Sequence, residues 1–326
     1  MLSRIAVTLY LLGRHLERAE HLARTLRVHN ELVLDRPARD DHVFWPRYMQ
    51  LVGWPLSDQL TREQAIELTL TGSVGPSVRR AVSDARSAAL AVRTSLSTDV
   101  FEQVNSLHWR LQNEDWHGVL DAYLRAVELG VHLIGGLVED TMAHDEAWDF
   151  IRLGKFLERA SATTRLVLGK SAELSGLPEL EEASVDWAAA LRCCSSFEAY
   201  QQRVPAPFRP ERVVGFLLFQ PVSPRSAAFC VTEALASVRR VDGARAEPSP
   251  PQRALGELAR LFAESVPDEV AEAPDEFGEH FAELFREVEL ALRETYFLPH
   301  NLAVSLPGDT LVAHPHQQQQ ARAGAR

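Results

Sequence analysis

Apolar residues recur along this chain in steps of three and four, which is the spacing of one face of an α-helix. The first run continues for three heptads and consists of Ile5, Leu9, Leu12, Leu16, Ala19, Ala23 and Leu26. Runs with the same stepping begin at Val78, Phe150 and Phe277. A sustained alternation of apolar and polar residues, the pattern of a half-buried strand, is found nowhere. The chain is therefore predicted to be all-α.

Capping residues and prolines indicate where further helices begin. Asp99 followed by Glu102 is typical of a capping box and predicts a helix from Val100. The Ser-Pro pair at 223–224 supplies an N-cap and a first-turn proline, so a second helix is predicted there that continues through Val238.

Other segments are expected to be irregular. Residues 34–62 contain scattered prolines and aromatic residues, and residues 241–253 form a polar, proline-rich stretch. The Gly135-Gly136 pair is expected to soften or interrupt the helix in which it lies.

One helical segment occurs twice, with an offset of 141 residues. The matching residues of the first copy are Leu12, Gly13, Leu16, Glu17, Arg18, Ala19 and Arg24. They recur as Leu153, Gly154, Leu157, Glu158, Arg159, Ala160 and Arg165. Each apolar seam needs a neighbour that covers it, so the two copies are expected to pack against each other.

This repeat predicts one domain rather than two. We expect a single helical bundle over residues 1–306, built from two pseudo-symmetric duplicated halves of about 1–140 and 141–306. Residues 307–326, rich in Gln, Ala, Arg and Gly, are expected to form a disordered tail.

Charged residues follow a second stripe on each repeated helix, away from the apolar seam. In the first copy the stripe consists of Arg14, Glu17, His21 and Arg24, and Arg18 lies beside it. In the second copy it consists of Lys155, Glu158, Ala162 and Arg165, and Arg159 lies beside it. A guanidinium offers a planar fork of donors to a carboxylate or phosphate, and a glutamate can hold that fork in place.

Three interpretations of these stripes remain open: exposed surface, a structural ion network between the two helices, and a ligand or reaction site. Four residues elsewhere are candidates to extend or anchor the basic lining, namely Arg86, Arg93, Asn105 and Arg225. A carboxylate packed among arginines has a lowered pKa and is a poor base at neutral pH, which favours binding over catalysis.

Composition narrows the possible functions. The chain has 326 residues and a net charge of −11, and residues 257–294 alone contain twelve acids and three bases. A basic face for nucleic acid is absent, and the acidic run is expected to be a solvated helix face.

No apolar stretch approaches the ~20 residues that cross a bilayer. With three cysteines and no signal-peptide pattern, we expect a cytoplasmic protein without a metal site or cofactor.

These motifs resemble the alpha-E family, a bacterial helical domain with a repeated Glu-Arg motif. The similarity lies in residues 1–6, in the two copies of the repeat, and in the segment from Ala85-Arg86 to Asn105. It continues at 148–150, at 216–218 and at 224–226, and so covers about residues 1–300.

The second copy departs from the first. Ser161 stands opposite Glu20, Ala162 stands opposite His21, and Lys155 stands where an arginine is common. The second copy is therefore expected to be the less complete half-site.

The resemblance implies an all-helical protein whose genes neighbour, or are fused to, a circularly permuted ATP-grasp ligase, and often a transglutaminase-like peptidase. The resemblance implies no particular catalytic activity, because none is established for the family as a whole. The leading hypothesis is a non-catalytic partner of a peptide- or amide-forming ligase, which binds the ligase or its peptide substrate through a Glu/Arg cleft. One alternative is an enzyme that uses Glu17 or Glu158 as acid or base. Another is a purely structural assembly factor.

Overall fold

The computed structural model describes residues 1–34, 41–55, 60–174, 181–204 and 208–298. In these ranges the chain is all-helical and has no β-strand. The helices are α1 (Ser3–Leu34), α2 (Asp41–Leu51), α3 (Arg62–Thr71), α4 (Val78–Ala91), α5 (Thr98–Asn113), α6 (Leu120–Thr141), α7 (Glu146–Leu174), α8 (Glu181–Cys193), α9 (Phe197–Gln201), α10 (Pro210–Val214), α11 (Ala227–Asp242), α12 (Pro250–Glu264), α13 (Pro267–Glu272) and α14 (Pro274–Leu292). The predicted all-α class is confirmed, and the predicted tail lies outside the described residues.

The repeated segments form the two longest helices, α1 with 32 residues and α7 with 29. They pack against each other at the centre of the molecule. α4 and α6 pack against α1, and α11 and α14 pack against α7. The predicted seam of α1 is buried, and Leu9, Leu12, Ala19, Ala23 and Leu26 are fully inaccessible. Apolar burial on this scale is the main force that holds the bundle together.

Two predicted helix starts are wrong by a few residues because serines cap the helices. Ser97, not Asp99, is the N-cap of α5, and its hydroxyl accepts from the Val100 amide at 3.2 Å. Ser226, rather than the Ser-Pro pair before it, caps α11 and accepts from the Phe229 amide. A serine oxygen satisfies one of the free N–H groups of the first turn, so the helix begins directly after it.

Two predictions of irregular structure are also wrong. α6 continues through Gly135 and Gly136, because its buried face, which includes Ile134 and Val138, packs on the core on both sides of the pair. The segment 34–62 contains helix α2, whose Trp45 and Tyr48 are buried. Tertiary packing outweighs weak local propensity at both places. By contrast, an irregular link between α11 and α12 is present, as predicted.

α1 and α7 run in the same direction. The N-terminal ammonium of Met1 lies 2.9 Å from Glu146 at the start of α7, and residues further along α1 contact residues correspondingly further along α7. The approach is closest at Gly13 and Gly154. A Cβ at Gly13 would overlap the carbonyl oxygen of Ile151, and a Cβ at Gly154 would overlap that of Tyr10. The two glycines therefore permit backbone contact between the helices.

Replacing Gly154 by Ala is expected to destabilise the protein by about 3 kcal/mol, because the new methyl group forces the two central helices apart. Gly256 in α12 has nothing within 4 Å of its Cβ position and serves as the matched control. Gly256→Ala should stabilise the protein by about 0.5–1 kcal/mol through helix propensity. Urea unfolding measures both changes. Equal effects of the two substitutions would contradict the close approach.

Candidate functional site

Two Glu-Arg pairs bridge α1 and α7 in a reciprocal way. Arg159 donates to Glu17 from Nε at 2.6 Å and from Nη2 at 2.8 Å. Arg18 donates to Glu158 with the same two atoms at the same two distances. Each pair is bidentate, which is the strongest geometry for an arginine and a carboxylate. Glu17 is 3% exposed and Glu158 is 5% exposed, so the interpretation of these residues as exposed surface is wrong.

The first group of charges, which we call the Glu17 side, extends towards α6 and α11. It consists of Glu17, Glu20, Arg24, Arg27, Glu128, Arg159 and Arg225. Arg225 donates from Nη1 to Glu17 at 3.2 Å and to Glu20 at 2.9 Å. Arg24 donates to Glu20 on the same helix, and His132 on α6 approaches Glu20 at 3.3 Å. Each acid on this side therefore has at least one arginine partner.

The second group, which we call the Glu158 side, extends towards α14. It consists of Arg14, Arg18, Glu158 and Glu289, and the hydroxyl of Tyr10 joins it. Arg14 donates to Glu158 at 2.8 Å and to Glu289 at 2.6 Å. Arg14 is only 2% exposed, so it bridges two acids inside the protein.

Arg165 lies at the end of the Glu158 side. In the part of the chain that the structure describes, its guanidinium has no hydrogen bond or ion pair, and its Nε is buried without a partner. Gly53, in the turn after α2, lies over the guanidinium, and a Cβ there would be 3.0 Å from Nη1. Gly53 has a φ of 89°, which also favours glycine.

The other predicted residues lie outside these hydrogen-bonded groups. The ammonium of Lys155 is 5.4 Å from the centre of the Phe156 ring. Arg86 donates to Asn105 at 2.8 Å, which joins α4 to α5, and Arg93 stacks over Phe101. These contacts do not connect Arg86, Arg93 or Asn105 to the buried charges between α1 and α7.

The arginines set the protonation state of the buried acids. Burial alone would raise the pKa of Glu158, but the charges of Arg18 and Arg14 outweigh it and hold the pKa well below its usual range. Burial is likewise outweighed at Glu17, where Arg159 and Arg225 lower the pKa. Both carboxylates are therefore anionic and their oxygens are occupied, which makes them weak proton acceptors.

The described residues outside the Glu/Arg cluster do not form a reactive cysteine site or a metal site. Cys193 Sγ lies 3.8 Å from His29 Nδ1, but burial raises the pKa of the Cys193 thiol far above its ordinary value, so the reactive thiolate is disfavoured. Within the described ranges, no three His, Cys, Asp or Glu side chains are grouped as a metal site would require. Over the same ranges, no helix combines the length and apolarity needed to cross a bilayer.

Sequence reasoning missed several members of the cluster. Glu289 lies in the acidic run that was expected to be solvated, yet it is buried against Arg14. The spacing held a signal, because Glu289 lies four residues after Phe285 and three before Leu292, beside the apolar face of α14. For Glu20 a signal existed, because it lies four residues before Arg24, which is the spacing of an intrahelical ion pair.

These observations define an all-helical protein in which buried arginine–carboxylate pairs join two parallel helices. The chain belongs to the Alpha-E family, described as a predicted α-helical domain with a conserved ER motif, whose model matches residues 1–297. The Glu17-Arg18 and Glu158-Arg159 pairs fit that description.

Curated relatives include uncharacterised proteins of Mycobacterium bovis and of two strains of Mycobacterium tuberculosis. Each is 25% identical over 337 residues, which cover 94% of this chain and 37% of the relative. This chain thus spans little more than a third of those proteins. No solved structure matches it.

Glu158→Gln is expected to destabilise the protein by about 3–5 kcal/mol, because Arg14 and Arg18 lose the negative charge between them. Glu257→Gln is the control. Glu257 pairs with Arg260 on the surface, where both side chains are more than half exposed, so the cost should stay below about 1 kcal/mol. Urea unfolding at neutral pH measures both variants. A similar decrease in the free energy of unfolding for both variants would show that the buried Glu158 pairs stabilise the protein no more than the exposed pair does.

Lowering the pH is expected to destabilise the folded protein through the protonation of His21. Burial and the charge of Arg165 lower the pKa of His21 to about 4, against an ordinary value of 6.5. Between these values the unfolded chain binds the proton and the folded protein does not, so stability falls as the pH drops from 6.5 to 4. The loss should be roughly 3 kcal/mol.

The matching measurement is urea unfolding across this pH range. His21→Gln should remove that part of the pH dependence. His280, which is exposed and therefore solvated in both states, provides the control substitution His280→Gln. An identical pH profile for wild type and His21→Gln would refute the assignment.

Proposed function

We propose that this protein is a non-catalytic helical partner of an ATP-grasp ligase that forms a peptide or amide bond in the cytoplasm. In this role the Glu/Arg cluster binds the ligase or its peptide substrate. The rigid pairing of α1 and α7 would hold the binding groups in fixed positions. A transglutaminase-like peptidase acting on the same product would be a second partner.

The observation that carries this proposal is the complete pairing of Glu17 and Glu158. A general acid or base needs a pKa near the working pH and a free position for the proton. Both carboxylates instead have lowered pKa values and accept bidentate hydrogen bonds from arginine. This arrangement supports recognition or scaffolding and disfavours the enzyme alternative.

The length of the mycobacterial relatives also supports a partner role. A domain that covers 37% of a longer chain is covalently joined to other polypeptide. Such a connection gives a high effective concentration of the neighbouring domain, which benefits a protein that works by contact. The link to an ATP-grasp ligase rests on the resemblance to the family.

We also propose that the fold arose by duplication of one helical unit, with a pseudo-twofold axis between α1 and α7. The support is reciprocity. The bond from Arg18 to Glu158 corresponds to the bond from Arg159 to Glu17, and Gly13 and Gly154 contact each other's helices in the same way.

A purely structural assembly factor is the second candidate function. The closed character of the Glu17 side favours it, because every carboxylate there has an arginine partner and the group is mostly buried. Such a network can lock two halves together without binding anything else.

An assay of the ligase decides between these functions. We expect the purified chain alone to form no product, and to raise ADP release by a circularly permuted ATP-grasp ligase from the same organism. Glu17→Gln, assayed at a temperature where circular dichroism shows it folded, should lower the stimulation by about three- to tenfold, because Arg159 and Arg225 lose the carboxylate that holds them in position. Loss of a general acid or base would instead cost about 100-fold or more.

The control is Glu257→Gln on the exposed face of α12. Absence of any effect of the wild-type chain on the ligase, together with failure to co-elute with it, would refute the partner role. In that case the structural candidate would stand.

A further inference from the structure

The two sides of the cluster differ at one pair of corresponding positions. On the Glu17 side, Arg24 donates to Glu20, one turn earlier on α1. The position that corresponds to Arg24 is Arg165, and the position that corresponds to Glu20 is Ser161. Arg165 therefore has an arginine's charge without the carboxylate that neutralises its counterpart.

The charges of the Glu158 side do not balance when Arg165 is included. Its cations are Arg14, Arg18 and Arg165, and its carboxylates are Glu158 and Glu289. Both carboxylates are held by other arginines. Further out, Asp84 and Arg80 pair with each other. One positive charge thus remains without a partner among the described residues, at a side chain that is partly exposed to solvent.

A second polar group, the ring of His21, is close enough to Arg165 to be influenced by its charge. His21 is 8% exposed, and its buried Nε2 has no hydrogen-bond partner in the described ranges. The charge of Arg165 is the strongest of the neighbouring charges that act on the His21 ring, and the carboxylates of Glu20, Glu17 and Glu158 oppose it. Most buried polar side-chain atoms are hydrogen-bonded, and both the His21 Nε2 and the Arg165 Nε lack a partner among the described residues, so an acceptor beside Arg165 would satisfy both.

The turn after α2 approaches the Arg165 guanidinium closely. Gly53 lies against the guanidinium, and any larger residue would place its Cβ 3.0 Å from Nη1. A glycine at this turn therefore avoids placing a Cβ against the guanidinium.

We propose that Arg165 and His21 form a binding site for the terminal carboxylate of a peptide or acylated amino acid. The site rests on the proposed function, and it names the chemical group through which the substrate of the ligase would be held. The guanidinium donates two hydrogen bonds to the two carboxylate oxygens, and the His21 ring donates a third. Ser161 supplies no carboxylate that would compete with the ligand for Arg165.

A carboxylate suits the site better than a phosphate does. One unpaired positive charge is matched by one negative charge, whereas a phosphate dianion would leave an excess negative charge beside Glu158 and Glu289. The planar fork of a single arginine also fits two coplanar oxygens. The bound anion would favour protonated His21, so binding should raise the pKa of His21 and strengthen as the pH falls.

The test is a titration of the isotope-labelled full chain, followed by NMR of the Arg165 Nε–H and the His21 ring. The probes are N-acetylglycine, its neutral amide N-acetylglycinamide, and inorganic phosphate. We expect saturable shifts with N-acetylglycine in the millimolar range, at least about tenfold weaker shifts with the amide, and an upward movement of the His21 pKa in the bound state.

Matched substitutions at 161 provide the decisive comparison. Ser161→Glu should supply an internal carboxylate to Arg165, as Glu20 does for Arg24, and abolish binding of N-acetylglycine. Ser161→Gln has the same size without the charge and should retain binding. Arg165→Gln should lose it, with circular dichroism checking that each variant is folded.

Equal binding of N-acetylglycinamide, retained binding in Arg165→Gln, or binding of phosphate without N-acetylglycine would each overturn the proposal. The titration contains no ligase, so the two proposals fail separately. Carboxylate binding by a chain that neither affects the ligase nor co-elutes with it would uphold the site and refute the partner role. Ligase stimulation that survives in Ser161→Glu would place the functional contact elsewhere.

Discussion

The structure depends on arginine–carboxylate pairs that are buried between two long parallel helices. Removing such charges from water is costly, and only bidentate geometry with few unsatisfied atoms recovers that cost. Arg18 with Glu158 and Arg159 with Glu17 meet this condition from opposite directions. Because each pair joins α1 to α7, the same contacts that neutralise the charges also fix the register of the helices.

The closeness of the backbones makes this pairing possible. Gly13 and Gly154 let α1 and α7 approach until main-chain atoms touch, which brings the neighbouring charged side chains within hydrogen-bond distance across the interface. The surrounding helices then exclude water. α14 contributes Glu289 to the Glu158 side, and α11 begins directly after Arg225, which donates to the Glu17 side. The cluster is thus a product of the whole bundle.

Two kinds of arginine coexist in this cluster, and the distinction bears on function. Arg14, Arg18 and Arg159 are saturated by carboxylates and act as structural links. Arg165 lies at the edge, next to a buried histidine, with no acid assigned to it among the described residues. A protein that recognises anions needs a preorganised cation whose charge has not already been satisfied.

The sequence by itself determined the helical class, the central seam and which charged residues the two central helices share. Apolar spacing depends only on helix geometry, and the repeated Glu-Arg motif places like residues on like faces. Which arginine each buried acid contacts was decided by the tertiary structure. Glu289 is one of many acids in its segment, and only the packing of α14 brings it to Arg14. Tertiary structure also decided that Arg165 has no carboxylate partner among the described residues. Whether two charges pair depends on their distance in the folded protein, which the sequence does not specify.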